Sequence, residues 1–427
     1  MTSTKRILIV GSGGREHALC WKLAHDSSRP ELFIAPGNAG TAQLGMNLAI
    51  GAEDLDALEA WAVEHRPELT VIGPEAPLCG GLADRLQAHG LLVFGPGQAA
   101  ARLEGSKHFA KEVMIAAGVP TAASATFSAL EPALTYVRSQ PPPLVVKADG
   151  LAAGKGVVIC QSTPEAEAAV FDMLDQGTFG EAGRQVVIEE FLVGEEASIL
   201  ALVDGSRSVL LDSSQDHKRV GEGDTGLNTG GMGAYSPAPV VTADLWPIIQ
   251  KEIIDATVSE LRRRGIDFRG VLYAGLMIHD GKPKVLEFNC RFGDPECQAI
   301  LIRWEGDLLP ALEACAQGDL RPDLVRWKPQ PSVCVVMTAP GYPGEYPKGA
   351  VIRGLEEAGQ LPDTEVFHAG TGYDGDDIVT SGGRVLGITA RGETLKQALT
   401  KAYTAVDLVQ FDGAYVRRDI GWRAIGT

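Results

Sequence analysis

The strongest chemical pattern in the sequence is the stretch "KVLEFNCRFGDPE" near residue 290. In an extended strand, Glu287 and Asn289 would project from one face, with Leu286 and Phe288 on the other. Two oxygen ligands at this spacing, followed by Arg291, are typical of a hard-cation site beside an anion site. The pattern predicts magnesium held by one carboxylate, one amide and nucleotide phosphates. The alternative is a strand whose charges form only structural salt bridges.

A second candidate is the stretch "SQDHKRVGEGDTGLNTGGMGAYSP", residues 214–237, which has neither helical nor strand periodicity. Its glycines would weaken a regular element and would let the backbone approach a small substrate. Its six charged or titratable residues are close enough together to face one site. We therefore expect an irregular functional loop, and the alternative is a disordered, solvated one.

Two stretches in the middle of the chain could bind a nucleotide. "DGLAAGKGV" is not a Walker A loop, because Gly150 and Gly154 are one residue too close and Gly156 replaces the magnesium-binding Ser or Thr. It leaves a glycine-rich hairpin with Lys147 on the incoming strand and Lys155 at the tip, which could close over a polyphosphate or could simply be a solvated hairpin. "VIEEFLVGEEAS" is either a charged strand end or a hinge that meets adenine and ribose.

The first glycine-rich turn, "GSGGREHA", suggests a dinucleotide fingerprint but departs from it. Glu16 occupies the third glycine position, and "APGNAG" stands where a ribose-binding acid would be expected, so we do not expect NAD. A glycine-rich turn at a helix N-terminus can still bind phosphate through its N–H groups, and the alternative is a tight turn alone. His217 and Cys290 have no partners at zinc-site spacing.

Composition restricts the class of protein. The chain has 427 residues, a formal net charge of −17 and a pI of about 5.0, which argue against nucleic acid as its main partner. No apolar run is long enough to span a bilayer, no secretory h-region precedes the first glycines, and the seven cysteines include no CxxC pair. These features predict a cytoplasmic enzyme that binds neither nucleic acid nor membrane.

Hydrophobic patterning predicts the elements that position these residues. Short apolar strands alternate with helical segments over the first hundred residues, which is typical of a doubly wound parallel α/β domain with its crevice at the carboxyl ends of the strands. "PLCGGLADRLQAHG" within it has helical periodicity. Further helices are predicted from Ser106 as N-cap to Gly118 and over about 242–264, and "DGKP" is predicted to join two strands as a hairpin.

The combination and order of these motifs closely resemble the ATP-grasp ligases, and within them the glycinamide ribonucleotide synthetase (phosphoribosylamine–glycine ligase) family. Two departures from the family pattern are Leu227 in place of a proline and Cys297 in place of a threonine, and neither removes a charged group. The matching stretches run from the first strand to the last residues: "GGREHA", "APGNAGT", "VIGPEAPL", "FGP", "LEGSK", "KADGLAAGKGV", "IEEFLVGEEAS", "QDHKRVGEGDTGLNTGGMGAYSP", "LYAGLMI", "EFNCRFGDPE", "GGRVLGITA" and "DIGWRA".

The resemblance implies a multidomain α/β and α+β fold and a two-step reaction. ATP would phosphorylate the carboxylate of glycine, and the amine of 5-phosphoribosylamine would attack the resulting glycyl phosphate to give glycinamide ribonucleotide. The resemblance also implies that the protein uses magnesium, with manganese possible, that its partners are small-molecule substrates, and that it is a monomer or weak homodimer. The implied domains are a Rossmann-like substrate domain (1–104), an ATP-grasp domain (105–328) with a mobile lid (about 122–193), and an α+β C-terminal domain (329–427).

The family pattern also implies a role for each matching residue. Arg291 would orient the carboxylate and the acyl phosphate, Asp216 with Asp294 would receive the ammonium group of glycine, and Lys218 would border the attacking amine. Glu287 and Asn289 would hold the metal. The loop 149–156 would close over the nucleotide, whose other expected contacts are Lys107, Lys147, Gly154, Lys155, Gly156, Glu189, Glu190, Leu192 and Glu196. The expected substrate contacts are Gly13, Gly14, Arg15, Glu16, Gly37, Asn38, Ala39, Gly40, Thr41, Pro74, Glu75, Gly230 and Gly231.

Three alternatives to this function remain at the level of sequence. An ATP-grasp carboxylase and another ligase of purine synthesis are the alternatives within enzymes. A non-catalytic nucleotide-binding regulator is the alternative from a different class. The "PGNAGT" and "PEAP" loops favour a ribose-phosphate substrate, and a pure sensor would not require the intact set of Glu287, Asn289 and Arg291.

Overall fold

The N-terminal part of the chain forms a five-stranded parallel sheet. Alternate residues of its first strand pack into two different clusters, Ile7 and Ile9 on one face and Leu8 and Val10 on the other, so both faces are covered. The predicted doubly wound sheet is confirmed. The computed structural model describes residues 4–151, 156–176, 178 and 180–426. In spatial order the strands are Met46–Asn47, Glu31–Pro36, Arg6–Gly11, Leu69–Ile72 and Val93–Phe94, and the helices are Gly14–Ala24, Leu55–His65, Glu75–Cys79, Leu82–Ala88 and Gln98–Gly105.

The strand order of this sheet reverses between the neighbouring strands Arg6–Gly11 and Leu69–Ile72. At such a switch point the connections leave in opposite directions, which opens a crevice at the carboxyl ends of the two strands. The helix predicted in "PLCGGLADRLQAHG" is divided into two. It ends at Cys79 and the next begins at Leu82, because Gly81 has a φ of +85° that helical residues do not adopt.

The segment predicted as a lid forms a separate antiparallel sheet with two helices. The hydrophobic cluster beneath these helices contains Val137, Val146 and Val170, all fully buried. The two strands around the predicted glycine-rich loop pair as a hairpin, with Lys147 opposite Val157. In spatial order the strands are Ser124–Phe127, Val186–Glu190, Leu144–Ala148 and Val157–Cys160, and the helices are Leu130–Ser139 and Thr163–Leu174, with a 3-10 turn at Gly180–Arg184.

A second antiparallel sheet forms the centre of the molecule. The "DGKP" turn joins its last two strands, as predicted, and the predicted helix after Ser106 is confirmed: the Ser106 hydroxyl accepts the Phe109 N–H, and the helix stops at Gly118. The helix predicted over about 242–264 is also confirmed, although its middle is a π-helix. The strands are Ser208–Leu210, Glu195–Asp204, Arg269–His279 and Lys282–Asn289, and the helices are Lys107–Ala117, Leu245–Ile248, Ile249–Asp255, Ala256–Arg263, Glu296–Leu301 and Leu309–Gln317.

The C-terminal sheet joins strands from distant parts of the chain. Gly233–Ser236 pairs with Ser332–Thr338, so the stretch 214–237 is connected to the last hundred residues by backbone hydrogen bonds. In spatial order the strands are Gln215–Asp216, Gly233–Ser236, Ser332–Thr338, Arg384–Arg391 and Thr364–His368, with Tyr415–Val416 beside the third. The remaining elements are the helices Leu355–Gly359, Leu395–Leu408 and Trp422–Ile425, the 3-10 turns Thr41–Gln43 and Pro322–Leu324, and the hairpin Thr371–Asp374 with Asp377–Thr380.

The prediction that residues 214–237 contain no regular element is wrong in part. Besides the two strands that join the C-terminal sheet, Arg219–Gly221 and Thr225–Asn228 pair as a small hairpin around a turn at Glu222–Asp224. The strands have two to four residues each, too few to show an alternation. The second strand of this hairpin is also mostly exposed, and in the first only Val220 packs against the core of the C-terminal part.

Candidate active site

The two lysines predicted to contact nucleotide phosphates lie where the lid sheet meets the central sheet. The Lys107 ammonium donates to the Gly150 carbonyl at 3.1 Å, and that of Lys147 donates to the Leu286 carbonyl at 3.2 Å. Burial lowers the pKa of Lys107, while the negative charge of Glu287 opposes that shift. Both cations therefore lie close to the strand that carries the predicted metal ligands.

Glu189 has a different environment from the one its predicted contact with adenine requires. Its side chain is 3% exposed and lies between two lysines, with Oε1 at 3.1 Å from Lys111 and Oε2 at 2.8 Å from Lys147. The carboxylate is therefore occupied, and the backbone of Glu189 is paired with Ser124 and Val145 on the two neighbouring strands of the lid sheet. Lys111 was missed in the sequence, although it follows Lys107 by one helical turn and so lies on the same face of the helix.

The predicted hinge follows the last lid strand. Glu190 is exposed. The Ala123 N–H and the Lys284 ammonium donate hydrogen bonds to its carboxylate, and these contacts lower the pKa of Glu190. Leu192 is half-buried in the connection to the central sheet, and the Glu196 carboxylate lies 3.0 Å from Lys218 Nζ.

The glycine-rich loop of the lid is described only at its edges. The Gly156 carbonyl accepts the Ala148 N–H at 2.8 Å, which closes the hairpin. The predicted nucleotide contacts Gly154 and Lys155 lie outside the described residues.

The predicted metal ligands lie together at the end of the strand Lys282–Asn289, but the strand is not regular. Gly275 pairs with Glu287 and Leu276 with Val285, so Leu286 is the extra residue of a β-bulge. The expectation that Leu286 packs on the apolar face is wrong, since Val285 and Phe288 fill the core instead. The bulge also turns the Leu286 carbonyl to Lys147.

Glu287 is in a field of positive charge. Burial alone would raise its pKa, but Lys218, Lys147, Lys107 and Arg291 outweigh burial, and the pKa lies below its usual value. Among the described residues the nearest cation, Lys218 Nζ, is 3.9 Å away, so the carboxylate remains free to bind a metal ion.

These residues suit a magnesium ion that shares its ligands with a nucleotide better than a metal ion held by protein ligands alone. Among the described residues, no group of three or more His, Cys, Asp or Glu side chains is arranged to hold a metal. One carboxylate from Glu287 and one amide oxygen from Asn289 match an ion that keeps several waters and takes its other ligands from phosphates.

Arg291 is fixed by two carboxylates from the N-terminal part of the chain. Its Nη2 lies 2.8 Å from Glu104 and its Nε 3.3 Å from Glu75. Although burial would lower the pKa of Arg291, these charges raise it, so the guanidinium stays charged. Glu104, which also accepts the Cys290 N–H at 2.7 Å, was missed; its only sequence signal was its place in "LEGSK".

Asp216 and Lys218 lie in a group of acidic side chains beside the predicted metal ligands. Asp216 is 8% exposed, and burial together with Glu296, Glu196 and Glu287 raises its pKa to about 7 against the opposing charge of Lys218. No cation lies at ion-pairing distance from its carboxylate in the part of the chain that the structure describes. Glu296, which the sequence did not single out, is also buried, and the Tyr273 hydroxyl donates to it at 2.8 Å.

Asp294 lies at the start of the helix Gly14–Ala24. Its carboxylate accepts the Arg15 N–H at 3.3 Å and the Gln298 amide at 2.9 Å, and lies 3.5 Å from Arg384. These partners differ from the groups that act on Asp216, so the two carboxylates of the predicted ammonium site have different charged neighbours.

The first glycine-rich turn is filled by its own glutamate. Glu16 is 1% exposed, accepts the Gly13 N–H at 2.6 Å and pairs with Arg15 at 2.5 Å. A Cβ at Gly73 would lie 2.0 Å from Glu16 Oε1, so this carboxylate occupies the switch point between the first and fourth strands. A dinucleotide pyrophosphate would have to displace it.

The "APGNAGT" loop is folded tightly around Asn38. The Asn38 amide donates to the carbonyls of Ser12 and His368, and its oxygen accepts the N–H groups of Gly40 and Thr41. The side chain of Asn38 is thus used within the protein. The other predicted members, Gly37 and Ala39, lie in the same loop, and Pro74 precedes the helix Glu75–Cys79 at the opposite side of the crevice.

The C-terminal part of the chain supplies side chains that the sequence did not predict. Arg384 of "GGRVLGITA" donates to the carbonyls of Gly230 and Asp294, at 2.5 and 2.7 Å, and so fixes the predicted Gly230–Gly231 turn beside the first helix. Arg417 and Arg423 pair with Asp224 at 3.0 and 2.5 Å. The motifs "GGRVLGITA" and "DIGWRA" are therefore structural supports of the loop that carries Asp216.

Family models match nearly the whole chain. The model of the phosphoribosylglycinamide synthetase N domain matches residues 5–104, that of the ATP-grasp (A) domain matches residues 105–297, and that of the C domain matches residues 332–423.

Curated relatives and solved structures agree with these models. The phosphoribosylamine–glycine ligases of Vibrio cholerae and Pseudomonas aeruginosa are 53% and 52% identical, each over 98% of this chain and 98% of the relative. The crystal structure of the phosphoribosylamine–glycine ligase from Thermotoga maritima matches with a TM-score of 0.83 and 36% identity, over 97% of this chain and 99% of that one.

A more distant likeness concerns the fold alone. A biotin carboxylase from Campylobacter jejuni, 14% identical, has a TM-score of 0.75 over 100% of this chain and 96% of its own. Within the described residues, no helix combines the length and apolar character that crossing a bilayer requires. By sequence and by structure, the chain belongs to the phosphoribosylglycinamide synthetase family of ATP-grasp ligases.

Proposed function

We propose that this chain catalyses the reaction of its family, the ATP-dependent ligation of glycine to 5-phosphoribosylamine, with the residues described above. The observation that carries the proposal is the position of Glu287, an ionised carboxylate on which four cations act and which none of them binds tightly. A site of this kind suits a metal ion that shares its ligands with a polyphosphate.

In the first step, an oxygen of the glycine carboxylate attacks the γ-phosphorus of ATP, ADP leaves, and glycyl phosphate forms. Lys107 and Lys147 hold the phosphates, and Arg291 orients the carboxylate. Arg291 suits this role because Glu75 and Glu104 fix its plane, while one Nη1 hydrogen has no acceptor among the described residues. Charges arranged before the reaction cost no reorganisation when the phosphoryl group moves.

In the second step, the amine of 5-phosphoribosylamine attacks the carbonyl carbon of glycyl phosphate, and inorganic phosphate leaves. We assign the ammonium group of glycine to Asp216, whose buried carboxylate has no cation at ion-pairing distance in the described structure. Lys218 and the Gly230–Gly231 turn border the attacking amine, and the amide of Gly14, next to the Gly13 amide that Glu16 already accepts, faces the phosphate of the ribose. No protein nucleophile is required, so positioning supplies most of the effect.

Magnesium bound by Glu287 and Asn289 would neutralise charge on the transferring phosphoryl group. We propose that manganese can replace it, since both ions accept oxygen ligands. The remaining nucleotide contacts are proposed at Glu190, Leu192, Glu196 and the lid loop.

We further propose that the chain divides at about residues 104 and 328, with the lid at about 122–193. We also propose that the protein acts in the cytoplasm. The seven cysteines support this, since none of them is in a disulfide. A monomer or weak homodimer is our expectation for its assembly.

One assay tests this function. ADP release is followed with purified protein, ATP, glycine and freshly prepared 5-phosphoribosylamine, and each component is omitted in turn. Release that requires all of them supports the ligase. Release with bicarbonate in place of the amine would indicate a carboxylase, and nucleotide binding without turnover would indicate a regulator.

A further inference from the structure

A lysine outside the predicted site lies directly behind the nucleotide-binding lysines. Lys111 is 4% exposed, and its ammonium has three acceptors: the Glu189 carboxylate at 3.1 Å, the Thr121 hydroxyl at 2.8 Å and the Ala122 carbonyl at 3.2 Å. An ammonium group has three N–H donors, so all the donors of Lys111 are used within the protein. Lys111 therefore has no donor left for a ligand.

Lys147 differs from Lys111 in this respect. Its ammonium donates to Glu189 at 2.8 Å and to the Leu286 carbonyl at 3.2 Å, and no third acceptor is found among the described residues. One N–H donor of Lys147 therefore remains for a ligand. The Lys147 charge also lowers the pKa of Glu287, so its ammonium lies near the predicted metal site.

Glu189 is shared by the two lysines, and the sharing decides how much charge Lys147 presents. A carboxylate paired with Lys147 alone would form a neutral ion pair, and its field would cancel that of the ammonium at the nucleotide. With Lys111 on its other oxygen, the group of three side chains has a net charge of +1. Burial makes this balance matter, because water screens these charges little.

We propose that Lys111 is a positioning residue for nucleotide binding: it neutralises Glu189, and so leaves the charge of Lys147 available to the nucleotide phosphates. This inference rests on the proposed role of Lys147. Lys111 also ties the lid strand that carries Glu189 to the helix Lys107–Ala117 and to the connection at Thr121, which keeps Lys147 in register with the central sheet.

The charge argument makes an unusual prediction for a pair of substitutions. Lys111→Met leaves a neutral Glu189–Lys147 pair, and we expect ADP with magnesium to bind about tenfold more weakly, the size of one charge-assisted hydrogen bond. Adding Glu189→Gln to that variant restores a net charge of +1, so the double variant should bind ADP more tightly than Lys111→Met alone. A purely structural role predicts the opposite, because each substitution removes a buried contact.

The measurement is isothermal titration calorimetry with ADP and magnesium, with a thermal melt of each variant. Lys22→Met is the matched control: it removes another buried lysine, bonded to the Gly306 carbonyl, and should leave ADP affinity unchanged. Lys111→Arg should retain most of the affinity. Should Lys111→Met not fold, Glu189→Gln alone decides, since it leaves two positive charges and should bind ADP at least as tightly as the wild type.

The outcomes separate this inference from the proposed function. If Lys147→Met does not weaken ADP binding, the assignment of Lys147 to the phosphates is wrong. If Lys147→Met weakens binding but Lys111→Met does not, or if the double variant binds no better than Lys111→Met, the role of Lys111 is refuted while the ligase function is untouched. A Glu189→Gln variant that binds ADP less tightly than the wild type also refutes it.

Discussion

Asp216→Asn should weaken glycine binding while making the protein more stable. The substitution keeps the shape of the side chain and removes its charge. If Asp216 receives the glycine ammonium, loss of a charged hydrogen bond costs about 1.5–3 kcal/mol, so the KM for glycine should rise roughly tenfold to more than a hundredfold. The affinity for ADP measured without glycine should not change.

The gain in stability follows from the raised pKa of Asp216. Its pKa of about 7 lies well above the usual value of 3.8, chiefly because of burial, and corresponds to roughly 4 kcal/mol of destabilisation when the group is ionised. A carboxyl group with a raised pKa in the folded state disfavours folding progressively as the pH rises from about 4 to 7, and fully above that. The attraction between Asp216 and the charge of Lys218 is lost as well, so we expect a net gain of about 1–3 kcal/mol at pH 8 and none near pH 4.

Chemical denaturation at pH 8 and pH 5, together with initial rates at varied glycine, tests both effects. In the wild type, the KM for glycine should rise about tenfold between pH 8 and pH 6 as Asp216 is protonated. Asp26→Asn is the matched control: Asp26 is also buried with a raised pKa, but it binds the Leu308 and Leu309 N–H groups. The reasoning is refuted if Asp216→Asn keeps the wild-type KM for glycine, or if it unfolds more easily at pH 8.

Three further substitutions or measurements test other parts of the site. Glu287→Gln should preserve the melting temperature but lower kcat roughly a hundredfold or more, because a magnesium carboxylate contributes several kcal/mol in the transition state; a near-normal kcat at saturating magnesium would remove Glu287 from the site. Arg384→Met should raise the KM for phosphoribosylamine several-fold and leave the KM for ATP unchanged, since Arg384 fixes the Gly230–Gly231 turn; equal effects on both would contradict this. Hydrogen exchange in the lid strands Leu144–Ala148 and Val157–Cys160 should slow when ADP and magnesium bind; exchange that ADP leaves unchanged would argue against lid closure.

The sequence predicts best those features that depend on local patterns. The N-terminal parallel sheet, the capped helix after Ser106 and the "DGKP" hairpin follow from periodicity and turn chemistry within a few residues, and all three are confirmed. Glu287 and Asn289 also lie side by side as the strand period requires. The bulge at Leu286 was not predictable, because it depends on how this strand pairs with Gly275 and Leu276 and not on the residues next to Leu286 in the sequence.

Several of the side chains that the sequence missed act across long distances in the chain. Glu104 binds Arg291, 187 positions later, and Arg384 binds Gly230, 154 positions earlier. A charged residue on an amphipathic helix is usually a solvated one, so nothing near Glu104 or Lys111 indicates that its charge is buried. Such contacts appear only when the separate sheets are brought together.

The stretch 214–237 shows why a functional loop can lack a recognisable pattern. Its conformation is fixed by side chains that follow it by about 200 positions: Arg417 and Arg423 pair with Asp224, and the His217 imidazole accepts the Gly421 N–H. Because these supports hold the backbone, the loop does not need apolar residues at regular spacing, and its positions remain open for glycines and for Asp216 and Lys218. Asp224 connects the two segments through its charge. Arg417 is fully buried, and without Asp224 its guanidinium would keep only Asp419 as a carboxylate partner in the described structure. The last hundred residues thus contribute to substrate binding by holding this loop, although the residues we assign to the reacting groups come from earlier parts of the chain.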